Sequence, residues 1–124
     1  MQRNTQQRRA IREAFAQLAR PLTPLEVLEA AGPGAPGLGI ATVYRNLKAL
    51  VDEGWLKPVE LPGQSPRYER ANIGHHHHFH CRSCGKVFDI AGCPGELKRL
   101  VPAGFKVEDH EFVLYGKCPG CARV

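Results

Sequence analysis

The stretch His75-His76-His77-His78-Phe79-His80-Cys81-Arg82-Ser83-Cys84-Gly85 decides how this chain is read, because it sets five of the six histidines directly against a Cys-x-x-Cys pair. A second pair, Cys118-Pro119-Gly120-Cys121, follows Cys84 with 33 residues between. Two such pairs can place four thiolates around one tetrahedral Zn²⁺, each pair on a tight turn that Gly85 or the Pro119-Gly120 step permits. Four sulfurs leave no open coordination position, so Cys81, Cys84, Cys118 and Cys121 are expected to pin the carboxyl end to the histidine strand rather than to do chemistry. Disulfides or four buried thiols are the competing reading, and a reducing compartment disfavours the first.

If 75–80 is extended, His75 and His77 face one side and His76 and His78 the other. One segment can then serve two metal sites, each needing partners from elsewhere in the chain. His80, beside Cys81, reads as a solvated or supporting residue. A histidine run can also be an expression tag, but tags sit at termini and are not fused to a cysteine knuckle.

Upstream of the histidines the pattern is helical. Thr5 is placed to cap a first helix carrying Ile11, Phe15 and Leu18, which Arg20 and Pro21 close. Thr23-Pro24-Leu25-Glu26 is a capping box with proline at the first helical position, and Leu25 and Leu28 are expected to give the second helix its buried face. A glycine- and proline-rich loop over 32–39 precedes a third helix over 41–53, with Val43, Leu47, Leu50 and Val51 on one face, Tyr44, Arg45 and Lys48 off it, and Gly54 at its end. Two short strands over 55–61 and 67–70 complete the parts of a winged helix-turn-helix.

Downstream, strands over 75–80 and 86–90 flank the first knuckle, a short helix is expected near Pro94, Glu96, Leu97, Leu100 and Val101, and 105–115 reads as extended. The expected fold is therefore α+β: a winged helix-turn-helix over 1–70, a hinge at 71–74, and a small α/β domain of three strands at most over 75–124, stapled by the four-cysteine zinc site. A unit so small needs the metal or a partner to be stable.

The chain has 124 residues, a formal charge of +5 and a pI near 9.1, which permits contact with a polyanion without requiring it. The amino end has no apolar h-region, and no window approaches the ~20 apolar residues of a membrane span, so a cytoplasmic protein with no membrane partner is expected. Enzyme readings fit poorly. His110-Glu111 has leucine at 114, where a zincin needs histidine, and no His-x-Glu precedes a Pro-Cys-x-x-Cys as a zinc deaminase requires. A zinc-dependent nucleic-acid hydrolase or deaminase stays the alternative from another class, and a zinc-storage protein with an incidental helix-turn-helix is a third reading.

The winged helix, the run Ala41-Thr42-Val43-Tyr44-Arg45-Asn46-Leu47, the histidine strand entering Cys-x-x-Cys-Gly, and the closing Tyr115-Gly116-Lys117-Cys118-x-x-Cys121 together resemble the ferric uptake regulator family, over essentially the whole chain. The resemblance implies a homodimeric, metal-responsive transcriptional regulator, with a repressor as the first expectation. Its genes would be those of metal uptake or of metal and oxidative stress. It makes 75–124 the dimerisation domain and the four cysteines its structural Zn²⁺ site. It implies a hinge sensor site at Glu69, His76 and His78, and a further site in the dimerisation domain at His75, His77, Glu96 and His110. A second divalent metal follows, Zn²⁺ or Fe²⁺, with Mn²⁺ as a further candidate; a peroxide- or manganese-sensing member of the family is the alternative.

For nucleic acid, the resemblance places Tyr44 and Arg45 near base edges in the major groove and Arg3 on an arm near the minor groove, the expected partner being a palindromic, AT-rich double-stranded operator; as cations, Arg8, Arg9 and Lys48 are candidates for phosphate contact. The chain departs from the family in one respect. Residues 1–74 contain no histidine or cysteine, so the sensor site would be completed by water or another carboxylate. The fifth cysteine, Cys93, is a candidate ligand or redox thiol, with a small buried residue as the favoured reading.

Overall fold

The computed structural model describes residues 2–93, 95 and 97–122, with side chains from Asn4 onward. The chain divides into two compact units, Met1–Gly74 and His75–Val124.

In the first unit α1 spans Gln2–Leu18. Thr5 therefore lies inside the first helix instead of capping it, because Gln2, Arg3 and Asn4 continue the helical turn. Pro24–Ala31 forms α2, opened by the expected box: Thr23 Oγ1 accepts the Glu26 N–H at 3.1 Å, and the Thr23 N–H donates to Glu26 Oε1 at 2.9 Å. The buried face of α2 is made by Pro24, Val27 and Ala31, with Leu28 partly buried. Leu25 is 64 % exposed, against expectation, because the stripe at positions 24, 27 and 31 turns its neighbour outward. A single 3₁₀ turn, Gly32–Gly34, leads into the loop before α3, Ile40–Asp52.

Val43, Leu47 and Leu50 recur at helical spacing on α3 and are buried, while Tyr44, Arg45 and Lys48 are exposed. Gly54, at φ +82°, adopts the left-handed conformation after the helix, and its N–H reaches Val51 O at 3.0 Å. The first wing strand is shorter than expected and the second falls where expected: β1, Leu56–Val59, pairs antiparallel with β2, Arg67–Arg70, from Leu56↔Arg70 to Val59↔Arg67. Leu22 and Tyr68 exchange two backbone hydrogen bonds of 2.9 Å, which fastens the wing to the α1–α2 connection. Ile11, Phe15, Leu22, Val27, Val43, Leu47, Leu50 and Leu56 form one buried cluster that fixes α3 against the other helices. Each such side chain is worth ~1.5–3 kcal/mol of burial.

The second unit is a three-stranded sheet in the order β4-β3-β5, with β3 at His77–Cys81, β4 at Val87–Ile90 and β5 at Val113–Gly116. The β3–β4 pair is antiparallel and sets His78 opposite Asp89; β5 runs parallel to β3 and sets His78 opposite Val113. The helix expected around 94–101 is a single 3₁₀ turn at Lys98–Leu100 among the described residues, and positions 94 and 96 lie outside them. Only the last part of the 105–115 run is strand. A short helix, α4, at Pro119–Ala122 closes the second cysteine pair. The buried apolar residues described here are few, Cys81, Val87 and Cys118, whereas Leu100 is 76 % and Phe105 67 % exposed.

Candidate metal centres

The β3–β4 turn and α4 gather the four cysteines, with all four sulfurs within 4.8 Å of one another. Gly85, at φ +79°, donates its N–H to Cys81 O at 2.9 Å and folds the knuckle back on itself. Cys84 Sγ and Cys118 Sγ are 3.8 Å apart. Sulfurs held at ~2.3 Å from a tetrahedral Zn²⁺ stand ~3.8 Å from each other, so the cluster has the span such an ion needs. The backbone N–H groups of Cys84 and Cys118 each donate to Cys81 Sγ at 3.4 Å, and they bring that thiol down to about 5. Hydrogen bonding to the Cys118 and Cys81 sulfurs pushes Cys121 up to about 12. Negative charge thus accumulates first at Cys81 and is resisted at Cys121, and a divalent cation is what allows all four to be thiolates together.

The histidine strand splits as its alternation requires. His76 Nε2 and His78 Nε2 each lie 3.4 Å from Asp89 Oδ1, so two imidazoles converge on one carboxylate. Asp89 was not singled out in the sequence, although it is a carboxylate within reach of both histidines. The signal was the hairpin: reflecting β3 across the knuckle sets Asp89 against His78. Glu69 belongs to β2 of the first unit, where its side chain is 1 % exposed and its Oε1 is 3.7 Å from Lys57 Nζ.

On the other face, His75, His77, His110 and Cys93 offer donor atoms within 4.8 Å of one another. His75 Nε2 and His110 Nε2 are 3.2 Å apart, and Cys93 Sγ lies 3.2 Å from the same His110 nitrogen. His77 is 3 % exposed; its Nδ1 accepts the Phe112 N–H at 3.2 Å, and its Nε2 is buried with no hydrogen-bond partner among the described residues. Burial, then the nearby His75 and His110, hold the His77 imidazole below its ordinary range. Cys93 is exposed, which corrects the expectation of a small buried residue: the loop after β4 carries it to the histidines instead of into a core. Glu96 lies outside the described residues.

In the first unit Tyr44 is 55 % exposed, Arg45 is held by a 2.9 Å bond to Thr42 Oγ1, and Lys48 pairs with Asp52 at 3.3 Å. Asn4 and Arg8 of α1 line a cleft with Thr42, Arg45 and Asn46 of α3, so basic and amide groups from two helices open on one surface. The side chain of Arg3 lies outside the described residues.

A winged helix with a polar, partly basic third helix, joined to a sheet that gathers histidines and cysteines, defines a metal-binding DNA-binding protein. The chain matches the Ferric uptake regulator family over residues 2–115 and belongs to it; its members are metal-responsive, DNA-binding transcription regulators. It is similar to the peroxide operon regulator of Bacillus subtilis, at 32 % identity over 98 % of this chain and 85 % of that protein. Among solved structures it resembles the ferric uptake regulator of Francisella tularensis with iron, with a TM-score of 0.71 and 28 % identity over 94 % of this chain and 92 % of that one. It also resembles the ferric uptake regulator of Helicobacter pylori, described as having three functional metal-binding sites, with a TM-score of 0.68 and 25 % identity over 94 % and 79 %. The two histidine clusters and the four cysteines are sites that could hold Zn²⁺, Fe²⁺ or Mn²⁺. No helix among the described residues is long and apolar enough to cross a membrane.

Proposed function

We propose that this protein is a cytoplasmic, homodimeric repressor that binds a palindromic, AT-rich operator when a divalent metal occupies a hinge sensor site. The observation that carries this reading is the convergence of His76 and His78 on Asp89, immediately after the boundary between the two units. In this reading Glu69, His76 and His78 are the sensor ligands, joined by Asp89, and residues 1–70 and 75–124 are the DNA-binding and dimerisation domains. Two imidazoles with carboxylates suit Zn²⁺ and Fe²⁺, and Mn²⁺ as the harder alternative. The metal acts by population shift: it must bind the DNA-competent arrangement more tightly than the others, or it shifts nothing.

Tyr44 and Arg45 are read as base contacts and Lys48 as a phosphate contact, supported by their exposure on one side of α3. Arg3 keeps the minor-groove role that the family resemblance gives it. Exposed Phe105, Leu114 and Tyr115 in a unit with so small a core support a second copy as the partner of that sheet. We read the protein as a regulator and not an enzyme, on the family resemblance and because the zincin and zinc-deaminase spacings are missing from its sequence. The similarity to a peroxide operon regulator supports oxidative stress as a second reading of the signal.

The test is binding of the zinc-containing protein to AT-rich palindromic duplexes, its own promoter included, with free Zn²⁺, Fe²⁺ and Mn²⁺ buffered one at a time. The expected result is tightening by one metal at low free concentration, lost in His78→Ala. Binding that ignores every metal would overturn the reading.

A further inference from the structure

We propose that Cys93 is a metal ligand, completing with His75, His77 and His110 a site of three imidazoles and one thiolate in the second unit. The proposal rests on reading those histidines as a metal site and adds a soft donor to it. Three electron-rich atoms, His75 Nε2, His110 Nε2 and Cys93 Sγ, stand in contact at 3.2 Å on either side of His110. Donors at ~2.0–2.1 Å for nitrogen and ~2.3 Å for sulfur around a tetrahedral Zn²⁺ are separated by ~3.3–3.6 Å, so the cluster is within a few tenths of an ångström of closing on an ion.

The second observation is independent of those contacts. His77 is almost fully buried, yet its Nε2 has no hydrogen-bond partner among the described residues, a cost a protein rarely leaves uncompensated. With Nδ1 accepting from Phe112, the neutral ring keeps its proton on Nε2, so ligation through Nε2 moves that proton to Nδ1 and releases the Phe112 contact. Binding at Cys93 is a proton exchange: the S–H bond breaks, the S–Zn bond forms, and one proton leaves to solvent. A thiolate in place of a carboxylate shifts the preference of the site from Mn²⁺ and Fe²⁺ toward Zn²⁺. The same exposed loop that brings Cys93 to the histidines leaves it accessible to solvent, unlike Cys81 and Cys118.

The experiment is a Co²⁺ titration of the full chain carrying one tightly held Zn²⁺ per protomer, in the His78→Ala background so that the hinge site is silent. The expected spectrum has tetrahedral ligand-field bands and a near-ultraviolet sulfur-to-cobalt charge-transfer band. Cys93→Ser and His110→Ala should each remove the charge-transfer band and lower affinity by ~10–100-fold or more, the scale that loss of even an outer ligand partner produces, while Glu96→Gln should keep the band. Ligand-field bands without the sulfur band in the unmodified Cys93 chain would overturn the role of Cys93 and leave the histidine site standing. No Co²⁺ uptake at all would overturn the histidine site itself, and a sulfur band that survives Cys93→Ser would assign the sulfur to the four-cysteine cluster and also overturn the proposal.

Discussion

At the proposed sensor site a single carboxylate, Asp89, faces both histidines. Its Oδ1 stands between His76 and His78, so it fixes both rings and can itself ligate. Asp89→Asn keeps the shape and removes the charge; it should weaken metal-dependent DNA binding by ~10-fold or more while leaving the zinc content of the four-cysteine site unchanged, as read by anisotropy and by metal analysis of the same sample. The residue was legible only in part. The two strands flanking the knuckle could be read from the alternation, but their pairing register, which sets Asp89 against His78, depends on how many residues the Cys-x-x-Cys turn consumes. Cys93 was less legible still, since the chain between β4 and β5 has no repeating pattern to say where it returns. Arg45 belongs to the same scale: Arg45→Ala should cost ~1–3 kcal/mol of preference for the cognate operator over a scrambled duplex and leave weak nonspecific binding intact. An unchanged preference would remove it from base contact.

At the scale of the element, α2 is held at its start by the Thr23–Glu26 box, and Glu26 also meets Arg20 at 2.9 Å. Thr23→Ala should cost ~0.5–2 kcal/mol in denaturant unfolding of the first unit. Burial pushes the Glu26 carboxyl up, but the Thr23 N–H and the Arg20 guanidinium outweigh it, and the net pKa lies below 4.5. A carboxyl lowered on folding stabilises the fold above 4.5 and loses that contribution as pH falls through the lowered value. The Tm difference between the protein and Glu26→Gln should therefore be largest above that pH and shrink below it; a difference constant with pH would contradict the assignment. The box was readable because it is local, four residues acting on one another. The buried face of α2 was misread at Leu25, since which side of a short helix turns inward is decided by α1 and α3 packing on Val27 and Ala31.

The whole molecule joins a well-filled helical unit to a sheet with little core of its own. That contrast assigns different stabilising agents to the two units: apolar burial around Phe15 and Leu47 in the first, and metal at the cysteines in the second. Stripping the zinc with a strong chelator under reducing conditions should unfold the second unit while the helical unit keeps its signal. A chelated protein with an unchanged sheet would contradict the staple. Fold class and the four cysteines were legible from the sequence, because both rest on short repeats of residue type. The thinness of the second core was legible only as a matter of size; which residues are left exposed depends on how little of 105–115 joins the sheet.

The claim that metal at the histidine–carboxylate hinge site switches DNA binding is tested most directly by one comparison. Affinity for a palindromic operator would be measured at saturating and at chelated metal, for the unmodified chain and for His76→Ala with its four-cysteine zinc retained. The account predicts that metal tightens binding of the first by at least ~10-fold, about 1.4 kcal/mol of coupling, and leaves the second at its metal-free affinity. Equal tightening of both would contradict it and move the switch to another site.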